Sequence, residues 1–249
     1  MTRTYHREPG DLGGRLGIII AGSAPNWRNG VIIAQENDTW TVSVGGFLGD
    51  DAPGEDELFP AYLASLPTRD IHDVVAKATP KTDFIRYRYA SSLRRRYERL
   101  ARFPAGYLVF GDAICSFNPV YGQGMTVAAQ EALTLQACLA RGTDDLARRF
   151  FKAAAGIVDI PWDIAVGNDL RHPQVRGERP LILRFINWYI GKLHLAAARD
   201  GALAVAFLQV ANLMRSPLAL LRPAIAWRVW RGCRNERVGV PQAVHAGQS

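Results

Sequence analysis

The sequence predicts an α+β chain. An antiparallel or mixed β-sheet comes first, a strand-loop-helix connection sits in the middle, and a mostly helical region follows. Three observations lead there. Trp40, Val42 and Val44 alternate with Thr41, Ser43 and Gly45, the period-two pattern of a sheet with one packed face. Glycines at 111, 122 and 124 punctuate a short apolar run and the helical pattern that follows it. From Gln123 onward, alanine and leucine replace the β-branched residues of the first half.

The elements follow in order. Leu16–Gly22, Val31–Gln35 and Trp40–Phe47 are rich in Ile, Val and aromatic residues and read as strands. Glu36-Asn37-Asp38-Thr39 separates the last two, and Asn-Asp tolerates positive φ, so a tight hairpin is expected. The turn-rich acidic stretch 49–57 leads to two short helices, Asp56–Ser65 and Asp70–Ala78, each with an opening Asp able to cap it. Phe84 to Tyr89 alternates aromatic residues with Arg and reads as a strand, as does the apolar Tyr107–Phe110. Gln123–Leu139 is a helix, Asp144–Phe151 starts another, and Pro180–Gly232 is helical with breaks near Gly201 and Pro217. This organisation divides the chain into a sheet-containing part (1–105), the loop and its helix (106–142), a helical region (143–240) and a disordered tail (241–249).

Composition bounds the function. With 249 residues, 48% hydrophobic and 21% charged, the chain is long and apolar enough for a sizeable core, which excludes fibrous and disordered classes. The net charge of +7 comes from 30 basic and 23 acidic side chains. It is local: seven Arg against Glu98 between Arg86 and Arg102 leave a window of +6, with only +1 elsewhere. This favours a solvated basic face over nucleic-acid binding. An anionic substrate or nucleotide-phosphate contact is the second reading. Cysteines at 115, 138 and 233 are widely spaced, with no CxxC pair and hence no metal motif. The N-terminus lacks an apolar signal region, and the longest apolar stretch, Gly201–Met214, is too short to span a bilayer, so a reduced cytoplasmic chain is expected.

The chemistry concentrates in Tyr107-Leu-Val-Phe-Gly-Asp-Ala-Ile-Cys-Ser-Phe-Asn-Pro-Val-Tyr-Gly-Gln-Gly-Met125. Gly111 lets a ligand approach the backbone. Asp112 offers a carboxylate at the carboxyl end of the expected strand, where α/β ligand sites lie. Pro119 stiffens the loop, and Gly122 and Gly124 bracket a helix start. The bare amides there favour an electron-rich or anionic partner. Together they suit a ligand carrying hydroxyls and a polar ring edge or phosphate.

These residues resemble the second flavin-binding motif of the FAD-dependent aromatic hydroxylases (group A flavoprotein monooxygenases). In that family Gly-Asp-Ala is followed by a Pro and then by Gly-x-Gly at a helix start. Here the pattern reads Gly111-Asp112-Ala113, Pro119 and Gly122-Gln123-Gly124-Met125, with Ile114 bulkier than the usual Ala and Cys115 where many members have His. The resemblance implies FAD as cofactor and NAD(P)H as co-substrate. Asp112 would lie on a ribityl hydroxyl, Pro119 beside the isoalloxazine ring, and the Gly122–Met125 amides at the flavin N1/C2=O edge. It also implies an oxidoreductase that hydroxylates an apolar or aromatic small molecule with O₂, and it names no catalytic acid, base, nucleophile or metal. The sheet with its Trp-x-Val-x-Val strand looks like part of the family's substrate-binding half. No GxGxxG segment for the ADP moiety occurs near the N-terminus. The chain thus reads as the C-terminal portion of such an enzyme. The alternative is a truncated or split-gene fragment without independent activity, which would pair with a separate dinucleotide-binding chain. A basic interaction module is a more remote third reading.

Blander readings stand beside several residues. Cys115 is a packed small side chain before it is a reactive thiol. His72, His172 and His194 are isolated. Trp162-Asp163 and Asn168-Asp169 serve packing and capping as readily as a substrate pocket. The segment Ser216–Gly232, with Leu, Ile and Trp among Arg222, Arg228 and Arg231, docks on its own domain in preference to peripheral membrane contact.

Overall fold

A computed structural model describes residues 1–23 and 25–234; the tail expected at 241–249 lies outside the described residues. The chain forms two compact units, Met1–Tyr89 and the part from Ala90 onward. The division falls before the Arg-rich segment 93–102 rather than near residue 105, so most of the basic run belongs with the second unit. The architecture is α+β, with a four-stranded antiparallel sheet, a two-stranded ribbon and a mostly helical second unit.

In the first unit the sheet runs β1–β4–β3–β2, from β1 (Thr2–His6), β2 (Gly17–Ile20), β3 (Asn29–Gln35) and β4 (Thr39–Gly45). The expected hairpin joins β3 to β4, with Asn37 and Asp38 both at positive φ (58° and 47°). Trp40, Val42 and Val44 face inward as their alternation requires. They pack with Ile32 against α1 (Phe59–Ala64) and α2 (Asp70–Val75) through Phe59, Leu63 and Ile71. Gly30 has no room for a side chain: a Cβ there would lie 2.8 Å from the Ile71 side chain. The Trp40 indole N–H is not orphaned by burial, because it donates to Asp11 at 2.8 Å.

Among the described residues, the second unit holds β5 (Leu93–Arg94), β6 (Cys115–Ser116) and five α-helices: α3 (Gly124–Leu139), α4 (Leu146–Asp169), α5 (Leu181–Ala197), α6 (Gly201–Ala211) and α7 (Pro223–Arg234). One core joins Val109, Ile114, Phe117 and Val127 to Phe150, Phe151 and Val158 of α4. A second joins Leu193, Leu203, Val210, Leu220 and Val229 across α5, α6 and α7. Helix α4 continues through a buried Pro161, although a proline removes one intrahelical hydrogen bond. The breaks expected near Gly201 and Pro217 are present.

Several local expectations are corrected. Strand β1 was not read from the sequence, although Arg3 and Tyr5 alternate inward on it. Phe84–Tyr89 is not a strand: it makes a single bridge, Ile85 to Thr2, and β1 is otherwise bonded on that side by Thr79 and Lys81, which pair with His6 and Thr4. Tyr107–Phe110 pairs with no strand among the described residues; Phe110 is extended and Val109 is buried in the core. Asp56 does not cap α1. Its carboxylate pairs with Arg3 instead, and the helix begins later, with Phe59. Asp70 lies inside the first turn of α2, where its charge suits the helix N-terminus without a capping bond. Among the described residues, no helix is long and apolar enough to cross a membrane.

Because Trp40 is fully buried at the centre of the first core, Trp40→Ala is expected to cost about 3–5 kcal/mol. Ile33→Ala, on the opposite and exposed face of the same sheet, is expected to cost under about 1 kcal/mol. Urea denaturation of the two variants measures the difference.

Candidate functional site

The segment singled out by sequence forms a loop that folds back on its own helix. Phe110 enters extended, and Gly111 turns the chain at φ +62°, a conformation that a side chain disfavours. Gly111–Ala113 then makes one 3-10 turn that packs against α3. A second such turn, Pro119–Tyr121, is capped by the Asn118 side chain, which accepts from the Val120 amide at 3.1 Å. Gly122, at φ +67°, reverses the chain into α3.

The turn carrying Asp112 and the first turn of α3 meet. A Cβ on Gly124 would lie 3.7 Å from Asp112 Oδ1, so the carboxylate sits beside the helix start. Asp112 is exposed and accepts no hydrogen bond among the described residues. The α3 N-terminus has no side-chain cap, so its first amides are open to a ligand. Ala113, Pro119 and Met125 are also exposed. Pro119 stands on the separate turn ahead of Gly122. Gln123 differs from the rest: it is buried, and its amide nitrogen donates to the Ala211 carbonyl at the end of α6, at 3.0 Å. It is an anchor of the loop rather than an exposed ligand-facing side chain.

Three further contacts fix this loop, and sequence reading had assigned none of them. The first is Glu131, fully buried on α3, whose Oε2 accepts from the Gly111 amide at 2.8 Å. Its Oε1 is buried with no partner among the described residues. Burial raises the Glu131 pKa above the ordinary glutamate range, while the Gly111 hydrogen bond works in the other direction. The one available signal was its spacing: Gly124, Val127 and Glu131 share a helix face, and Val127 is core.

The second contact is the Tyr121 hydroxyl, which donates to the Asp169 carboxylate at the end of α4. Burial raises the pKa of both groups. Asp169 therefore tethers the loop. The third is the ribbon β5–β6, which places Leu93 opposite Ser116 and Arg94 opposite Cys115. Arg94 is the exception in the basic run. Its side chain is 3% exposed and binds Asp159 at 2.6 Å. Arg96 is shared between Glu98 and Asp159, while Arg95, Arg99 and Arg102 remain exposed. The run is thus partly a solvated face and partly a strut under the loop.

Cys115 is buried beside this strut. Burial pushes its thiol up to about 12, so the packed-side-chain reading fits better than the reactive one. His172 is buried and titrates below the ordinary histidine range for the same reason. Among the described residues, no group of His, Cys, Asp and Glu has the arrangement of a metal centre.

Two measurements test this geometry. Thiol reagents at mildly alkaline pH are expected to leave Cys115 unmodified in the native chain and to label it on unfolding; mass-mapped labelling reads the outcome. Glu131→Gln keeps an acceptor for Gly111 and removes the buried charge. A raised folded pKa means that the wild-type carboxyl contributes fully below about 4.5 and that this contribution is lost as pH rises through the folded value. The variant is therefore expected to gain stability relative to wild type between acid and neutral pH, followed by urea midpoints.

No family model matches this chain. The chain is 31% identical over 211 residues to the Mycobacterium tuberculosis protein Rv3254. The match covers 80% of this chain and 43% of that protein, so the chain spans well under half the length of the relative.

Proposed function

We propose that the loop from Gly111 to Met125 binds the flavin end of FAD, and that the chain is the C-terminal portion of a flavoprotein monooxygenase. The observation that carries this reading is the meeting of Asp112 with the α3 N-terminus. An exposed carboxylate acceptor stands beside uncapped amide donors, on a loop whose glycines at 111 and 122 leave the backbone open. A ligand with hydroxyls at one end and an electron-rich ring edge at the other complements that pair. The residues present fit the flavin half of FAD.

In this reading Asp112 accepts from a ribityl hydroxyl. The Gly122 amide is taken by the Pro119 carbonyl, so the amides of residues 123–125 would face the pyrimidine edge, where the helix dipole stabilises negative charge. Pro119 packs against the ring, and the anchors at Glu131, Tyr121 and Gln123 keep the loop from moving when the ligand arrives. Bound FAD would supply the redox chemistry, with NAD(P)H as reductant and O₂ as co-substrate, toward an apolar or aromatic small molecule. The protein's share is positioning and electrostatics.

A second reading keeps the flavin loop without independent activity. It differs from the first only in what holds the ADP moiety of FAD. A separate dinucleotide-binding chain would then complete the site.

Titration of the purified chain with FAD, followed by flavin fluorescence, tests the first reading. Binding is expected, and Asp112→Ala is expected to weaken it by about tenfold, the effect of one lost charge-assisted hydrogen bond. Unchanged affinity in Asp112→Ala would remove the ribityl assignment. Binding that appears only after a dinucleotide-binding chain is added would favour the second reading.

A further inference from the structure

Helix α7 has two faces with different chemistry. Val229 is buried, and Ile225 and Cys233 are partly buried, in the core shared with α5 and α6. At 100° per residue these three lie on one side. Trp227, Trp230, Arg231 and Arg234 lie on the other, and all four are exposed. The inner face docks on its own unit, and the outer face is left over.

That outer face is unusual for a helix in water. Trp227 and Trp230 are 54% and 55% exposed where charged or small polar residues are the norm. The Arg231 guanidinium lies 4.6 Å from the Trp227 ring centroid, and that of Arg234 lies 4.5 Å from Trp230. Immediately upstream, Leu218 is 72% exposed at the edge of a surface cleft of about 380 Å³, which Arg215 and Arg222 also line. From Arg215 to Arg234 the chain carries five Arg and no Asp or Glu. Only Arg228 is paired with a carboxylate among the described residues, with Asp200 at 2.8 Å. Among the described residues, Arg215 and Arg222 beside Leu218, and Arg231 and Arg234 stacked on the two indoles, have no carboxylate partner.

We propose that this face docks on an anionic lipid surface. The Trp rings and Leu218 would sit at the headgroup level, and Arg215, Arg222, Arg231 and Arg234 would bind lipid phosphates. Charge complementarity selects this occupant. Indoles prefer the interface because one edge is apolar and the N–H stays wet. Each Arg near an anionic bilayer adds favourable electrostatic energy, and bidentate guanidinium–phosphate geometry adds specificity. A second copy of the chain would set like charges against each other. Among the described residues no helix is long and apolar enough to cross a bilayer, and the proposed contact lies in the plane of the interface. The inference stands independently of the flavin reading.

Cosedimentation of the full chain with vesicles tests it. One vesicle set mixes phosphatidylcholine with phosphatidylglycerol; the other is phosphatidylcholine alone. Binding is expected to the mixed vesicles only, and to weaken as salt is raised. Arg231→Glu with Arg234→Glu is expected to lower partitioning at least about tenfold. Trp227→Ser with Trp230→Ser is expected to lower it independently, with the circular dichroism spectrum unchanged because both rings lie outside the core. No binding to the mixed vesicles, equal binding to both sets, or binding that survives both double variants would overturn the proposal. So would a concentration-dependent dimer that the Trp variants abolish in a chain that ignores vesicles.

Discussion

A carboxyl group withdrawn from water holds the turn on which the candidate site is built. Glu131 reaches from inside α3 to the Gly111 amide. An unsatisfied amide at that depth would be costly, and so would a carboxyl with no donor. Each meets much of the other's need. The bond also fixes Gly111 in the left-handed region, and that turn sends the next side chain, Asp112, outward. Because Glu131 lies two helical turns beyond Gly124, one helix supplies both the open amide end and the clamp that positions the carboxylate beside it. Neither part can shift along the chain without the other.

The rest of the loop is held from separate directions. Tyr121 is bound to the end of α4, and Gln123 to the end of α6. The ribbon β5–β6 is braced by Arg94 on Asp159. The loop's backbone is therefore tied to helices whose own positions are set by buried aromatic packing, such as Tyr97 stacked on Phe151 with centroids 5.2 Å apart. Anchors buried behind the loop fix its exposed side in one geometry. The buried side of the loop carries Gln123 and Cys115 and meets Glu131 of α3, and the exposed side carries Asp112, Ala113, Pro119 and Met125.

The helical part of the second unit shows why competing readings of one segment need not exclude each other. The stretch around α7 carries enough apolar residues to dock on α5 and enough Trp and Arg to present a second surface. Helical periodicity separates the two sets. Assigning the whole segment one destination loses that distinction, because the two sets interleave along the chain and are separated only by the direction of the side chain.

Local physics made much of this protein legible from its residues. The alternation at Trp40–Val44 fixed which strand face is buried, because a pleat admits only period two. Asn37-Asp38 fixed the hairpin, since few other residues accept positive φ in succession. Alanine-rich periodicity marked α3, and the glycines at 122 and 124 marked its start. The remainder depended on partners distant in sequence. Asp56 had the look of a cap until Arg3, more than fifty residues away, claimed its carboxylate. Phe84–Tyr89 and Tyr107–Phe110 had strand composition, but a strand also needs an open edge to pair with, and composition carries no record of one. Glu131, Tyr121–Asp169 and Gln123–Ala211 were invisible for the same reason: whether a polar side chain is buried, and by what it is satisfied, is a property of packing. The sequence by itself determined where the backbone turns and which residue types line the loop. Only the tertiary structure decided which of them face outward and which hold the loop in place, because burial and hydrogen-bond partners come from packing.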